Sequence, residues 1–150
     1  MIGEICNKNV HMISPLATVA EAAKKMRDEH VGDLFITETK SKPSRPLGVI
    51  TDRDIVTKVL AAKKAVDTPV TGVMSRILVT AKDTDGLQET ILKMRDQGVR
   101  RIAVVDHKDQ LCGVIAADDV YNLLSKELSE VAGISRKQID LEKQSKSIQL

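Results

Sequence analysis

Apolar positions along this chain keep changing their period, and they change it in the same order twice. Val10-His11-Met12-Ile13 has the length and composition of a short strand. Val19, Ala22, Ala23 and Met26 then recur at i, i+3, i+4 and i+7, the spacing of one helix face. Thr18 before them and Glu21 three residues on form a capping box, which sets the start of that helix. Leu34-Phe35-Ile36 and Leu47-Gly48-Val49-Ile50 follow as compact apolar strands, joined by a polar, proline-containing loop over residues 38–46. Ile55, Val56, Val59 and Leu60 return to helical spacing.

The second half repeats this grammar. Leu78–Ala81 answers Val10–Ile13, and Leu87, Ile91 and Met94 continue as a helix face that Gly98 can stop in a left-handed cap. Ile102–Val105 and Leu111–Ile115 are the strands, and Val120, Leu123, Leu124 and Leu128 the closing helix. Met26-Arg27-Asp28 recurs as Met94-Arg95-Asp96, an offset of 68. Two β-α-β-β-α repeats are therefore expected, one over 2–62 and one over 70–128, giving an α/β (α+β) fold. Neither copy can close a core alone, so the two should pack about a pseudo-twofold axis. Residues 129–150 read as a polar helical tail, capped by Ser135 and Gln138 after Gly133, with Ile139 and Leu141 as its apolar residues.

Composition narrows the function. Aromatic residues make up only 1% of the chain, so the core is aliphatic and stacking platforms for single-stranded nucleic acid are missing. A net charge of +2 gives no footprint for nucleic acid or an anionic membrane. The N-terminus lacks the apolar run of a signal peptide, and no stretch reaches membrane-spanning length, so the expected compartment is the cytoplasm. Cys6 and Cys112 stand apart, without metal-ligand spacing, and no metal site is expected. His11, His30 and His107 are scattered and lack a partner nucleophile, so no catalytic residues are assigned and no enzyme is expected.

The chemistry concentrates at two strand-to-helix junctions, Gly48-Val49-Ile50-Thr51-Asp52-Arg53-Asp54 and Gly113-Val114-Ile115-Ala116-Ala117-Asp118-Asp119. Thr51 and Asp54 are spaced as a capping box, which is one sufficient reason for the pair. The same geometry offers an ionised carboxylate to two adjacent hydroxyls, with a threonine hydroxyl beside it. In the second copy Asp119 matches Asp54, but Ala116 has lost the hydroxyl and Asp118 replaces the charge of Arg53. Arg100 and Arg101 precede a buried strand where the first copy has Gly32 and Asp33.

These junctions, the repeat order and Val99-Arg100-Arg101-Ile102-Ala103-Val104-Val105-Asp106 together resemble the cystathionine-β-synthase (CBS) domain family, over about residues 2 to 128. The resemblance implies a stand-alone tandem pair, a regulatory module that binds an adenosine-containing ligand in a cleft between repeats. AMP, ADP, ATP or NAD are implied ahead of S-adenosylmethionine, as regulatory ligand and not as catalytic cofactor. It also implies a homodimer and a regulated protein partner. Within it Asp54 becomes the first choice for ribose, with Thr51 beside it. Arg101 is the favoured phosphate contact, with Arg53 and Arg100 behind it, and Met12, Ile13 and Val31 lie against the base. Asp119 would serve a weaker or empty second cleft. The competing readings are a ligand-free dimerisation scaffold and, further off, a nucleic-acid binder or a nucleotide-processing enzyme.

Overall fold

The computed structural model of the protein describes residues 1–39 and 44–147. The centre of the expected loop over 38–46 thus lies outside the described residues. The chain divides into two units, Met1–Ile115 and the segment from Ala116 onward. In order, the elements are α1 (Ile2–Ile5), β1 (Met12–Ile13), α2 (Val19–Glu29), β2 (Asp33–Thr37), β3 (Pro46–Thr51), α3 (Asp52–Asp54), β4 (Thr80–Lys82), α4 (Leu87–Gln97), β5 (Arg101–Val105), β6 (Leu111–Ala116) and α5 (Ala117–Ser147). A mixed arrangement of helices and two three-stranded sheets results, ordered β1-β2-β3 and β4-β5-β6.

The first sheet shows how pattern becomes packing. β1 runs parallel to β2, with Met12 opposite Phe35, and β3 runs antiparallel, with Asp33 opposite Thr51. Leu34 and Ile36 point to one face and Phe35 to the other. Leu34, Ile36 and Ile50, all fully buried, join Val19, Ala22 and Met26 of α2 in one core cluster. Phe35 instead meets Val10, Ala103 and Leu111 in a cluster that spans the two repeats. Both faces are covered, so β2 reads as an unbroken apolar run and not as an alternating one. Burial of each large aliphatic side chain contributes about 1.5–3 kcal/mol.

The expected caps are present. Thr18 Oγ1 accepts from the Glu21 amide at 3.2 Å, and the Glu21 carboxylate accepts from the Thr18 amide at 2.7 Å. Gly98 ends α4 with φ 63, and His30, its counterpart 68 residues earlier, ends α2 with φ 54. Ala23 is exposed, so the apolar face of α2 is narrower than its spacing suggested.

Three findings depart from the sequence reading. First, the helix after Thr51 is α-helical only to Asp54 and continues as a π-helix over Ile55–Leu60, with Ala61 N–H bonding Val56 C=O at 2.9 Å. Second, α5 passes through Gly133 without a break. A single glycine costs a helix only about 1 kcal/mol, which a helix of 31 residues absorbs, so no separate capped tail helix forms. Third, the leading segment of each repeat packs on the other repeat. Asn7 bridges to Val114 and Gly3 N–H bonds Asp83 C=O at 2.8 Å, while Ser75 bridges to Val49 and Val70 N–H bonds Ala17 C=O at 2.9 Å.

Candidate functional site

The Thr51–Asp54 junction is built by the end of a strand meeting the start of a helix. Ile50 anchors β3 in the core, and Thr51 is extended (φ −114, ψ 161), which makes it the N-cap of α3. Its Oγ1 accepts from the Asp54 amide at 3.0 Å. Asp54 Oδ2 in turn accepts from the Thr51 amide at 3.0 Å and from the Thr51 hydroxyl at 2.9 Å. Lys58, one turn on, places Nζ 2.7 Å from Asp54 Oδ1. Burial pushes the Asp54 carboxyl up, but the Lys58 ammonium and the Thr51 donors outweigh it and hold the group below its ordinary value of 3.8.

Asp54 is therefore ionised and already holds three donors of the roughly four a carboxylate can accept. Binding two ribose hydroxyls requires one of these donors to give way, and Lys58 sits on the more exposed end of the pair. Lys58 also donates to the Val73 carbonyl at 3.3 Å, so an alternative partner is within reach. The sequence reading missed Lys58. Its signal was the i, i+4 acid-to-base spacing from Asp54.

Arg101 reaches across to the first repeat. Its Nη1 donates to Asp33 Oδ1, and Asp33 is the register partner of Thr51. Arg101 and Asp33 are 68 residues apart, the repeat offset itself, so equivalent positions of the two repeats touch each other here. The guanidinium is thereby set at the β2–β3 end that carries the Thr51 junction. Asp33, with its side chain 14% exposed, is raised above its usual value by burial, against the pull of Arg101. Asp33 was passed over because an acid at that position had no recognised chemistry by itself.

The remaining expected residues are spread more widely. Met12 and Ile13 line a cleft of about 490 Å³ with Ser14, Leu16, Ala17, Glu21 and Lys25. Thr51 and Asp54 are not among its walls. Met12 lies on the β1 side of β2 and Thr51 on the β3 side, two strand spacings or about 10 Å apart across the sheet. Beside that cleft, His11 pairs with Glu29, which also accepts from Lys25 at 2.6 Å; the Lys25 bond and then His11 hold Glu29 below its ordinary value. Val31 packs against the first core cluster. Arg53 and Arg100 are exposed. In the second unit, Asp119 Oδ2 accepts from the Ala116 amide at 2.9 Å, which is the half of the Thr51–Asp54 box that survives loss of the hydroxyl.

Among the described residues, no group of three or more His, Cys, Asp or Glu is placed to hold a metal ion, and no helix is long and apolar enough to cross a membrane. The CBS domain pattern matches residues 2–61 and 70–126. The CBS domain-containing protein YhcV of Bacillus subtilis is 33% identical over 119 residues, covering 79% of this chain and 81% of its own. An uncharacterized protein of Methanopyrus kandleri is 32% identical over 120 residues, covering 79% of this chain; the match spans 60% of that longer relative. Among solved structures, a CBS domain protein of Pyrobaculum aerophilum complexed with AMP superposes with a TM-score of 0.70 at 26% identity, covering 78% of this chain and 87% of its own. Two family matches that follow the internal repeat, and relatives above 30% identity over most of their length, lead to one conclusion: the chain belongs to the CBS domain family, as a tandem pair.

Proposed function

We propose that this CBS pair is a regulatory module that binds an adenosine-containing ligand at the Thr51 junction and relays its presence to a protein partner. The observation that supports it most directly is the ionised Asp54 carboxylate, held by Thr51 at a strand-to-helix junction with Arg101 brought to the same end of the sheet. In this reading Asp54 accepts from the ribose hydroxyls and Thr51 adds a polar contact. Arg101 meets phosphate, with Arg53 and Arg100 as further cations, and guanidinium geometry suits that contact. Met12, Ile13 and Val31 supply apolar contact for the base. Asp119, without a threonine beside it, serves a weaker second site. AMP, ADP, ATP and NAD fit this set ahead of S-adenosylmethionine, because a cationic arginine favours phosphate. The resemblance to an AMP-bound relative supports the ligand class.

The ligand acts by population shift, favouring one arrangement of the repeats or of a homodimer in proportion to its differential affinity. The module is regulatory and not catalytic, and it works in the cytoplasm.

A second reading is favoured by one observation: every donor on Asp54 comes from its own helix turn, as a helix cap alone requires. Calorimetry with AMP, ATP and NAD on the nucleotide-stripped protein separates the two. The ligand reading expects Asp54→Asn to lose about 1–3 kcal/mol of binding, with unliganded stability changed by only about 0.3–1 kcal/mol. Asp119→Asn should affect the tightest binding event less. Unchanged affinity in Asp54→Asn sinks the assignment, and a parent protein that binds none of the ligands leaves the scaffold reading in its place.

A further inference from the structure

The Thr51 junction already contains an anion for which the nucleotide reading has no role. Asp33 opens β2 and is the register partner of Thr51 on β3. Residues directly opposite one another in an antiparallel pair project to the same face, with Cβ atoms about 4.5–5.5 Å apart. The Asp33 carboxylate therefore stands on the Thr51 side of the sheet, next to the residue whose hydroxyl holds Asp54. Arg101 Nη1 donates to it from β5, and the Asp33 side chain is only 14% exposed against 48% for Arg101. An acid so placed depends on its cation. Burial and the nearby Asp52 charge oppose its ionised form, while Arg101 and then His11 support it. Withdrawing the guanidinium leaves a largely buried carboxylate without its main counter-charge, which is costly.

We propose that Asp33 is a built-in competitor of the ligand phosphate: it holds Arg101 before a ligand arrives, and so sets how far the site prefers phosphate-bearing adenosine compounds to uncharged adenosine. The proposal rests on the nucleotide reading of the Thr51 junction and adds a selectivity residue to it. A guanidinium has five N–H donors, so Arg101 can turn to a phosphate or divide itself between phosphate and Asp33. In either case the phosphate arrives beside a carboxylate of its own sign and loses part of what the arginine offers. Adenosine brings no charge to that position and is indifferent to the competition. The preference for AMP over adenosine is therefore held below what an unengaged arginine would give.

Calorimetry with adenosine and AMP on the nucleotide-stripped, full-length protein tests this through Asp33→Asn, which removes the charge but keeps the size and one acceptor for Arg101. The ratio of AMP to adenosine affinity should rise about tenfold or more, the range of a charge-assisted contact. An unchanged or lowered ratio overturns the inference. Asp33→Ser, neutral and smaller, should give the same rise and serves if the asparagine variant loses adenosine; loss of adenosine binding in both overturns the inference, because Asp33 is then a structural requirement. The route through Arg101 is read from a double-mutant cycle. In Arg101→Ala protein, adding Asp33→Asn should move the ratio by less than about twofold. An equally large rise there also overturns the inference, since Asp33 then acts without the arginine. Where adenosine binds and the ratio does not rise, the nucleotide reading stands and this inference alone falls. Where neither compound binds the parent or the variants, the nucleotide reading falls and takes this inference with it.

Discussion

At the scale of single residues, Asp54 and Arg101 each have an internal partner that any ligand must share or displace. Arg101 is the sharper case, because its partner Asp33 is largely buried and already raised by burial. Arg101→Ala should therefore destabilise the fold somewhat by stranding Asp33, whatever the ligand. The phosphate reading adds a second expectation, that AMP loses more affinity than adenosine by about 1.5–3 kcal/mol. Equal losses for the two ligands, measured by calorimetry, assign the arginine to the fold alone. His30 offers a test without ligand. It holds φ 54 where the equivalent Gly98 holds φ 63. Left-handed backbone costs a non-glycine residue about 1–2 kcal/mol, so His30→Gly should raise the melting temperature even though glycine loosens the unfolded chain. A drop in melting temperature means that the imidazole makes a contact worth more than the strain.

At the scale of elements, the two junction glycines carry information that spacing alone did not reveal. A Cβ at Gly48 would lie 2.6 Å from the Ser75 carbonyl oxygen and 2.8 Å from Met74 Sδ. A Cβ at Gly113 would collide with Cys6 Sγ and come within 3.2 Å of the Asn7 carbonyl oxygen. Both glycines are thus set by the close approach of the crossing segment and not by backbone conformation. Gly48→Ala should cost about 1–3 kcal/mol, an overpacking penalty, because the nearest atom is backbone and yields poorly. Chemical denaturation measures it, and a loss under about 0.5 kcal/mol shows that the crossing segment moves aside. The strand-to-helix order, the caps at Thr18 and Thr51 and the stop at Gly98 were all legible from sequence, since each depends on residues within four positions of one another. The π-helix over Ile55–Leu60 was not legible, because its side-chain spacing differs little from that of an α-helix over so short a span.

At the scale of the whole molecule, the exchange of leading segments makes the repeats interdependent within the Met1–Ile115 unit. Ile2 is fully buried, and its amide bonds the Asp85 carbonyl of the second repeat at 2.9 Å. Val70, equivalent to Ile2 at the offset of 68, is also fully buried and sits in the core of the first repeat. Ile2→Ala should cost about 2–5 kcal/mol. Hydrogen exchange in the mutant should speed up at Ile102–Val105 as well as at the N-terminus. Faster exchange confined to the first few residues means that the segment is an appendage and not a shared part of the core.

The amino-acid sequence by itself determined the number of repeats, the order of elements, the aliphatic core and the Thr51–Asp54 box, because all of these follow from local period, local capping and internal similarity. It also carried the apolar positions of the closing helix at Val120, Leu123, Leu124 and Leu128, though it sets a separate tail helix after Gly133 where α5 runs on unbroken. Tertiary structure alone decided that each leading segment crosses to the other repeat. It alone joined Arg101 to Asp33 beside the Thr51 junction, and it alone separated Met12 from Thr51 across the width of a sheet. The physical reason is that each of these rests on strand pairing or packing between residues far apart in the chain, which is set by the summed burial of the surfaces that meet and leaves no periodic mark on either one.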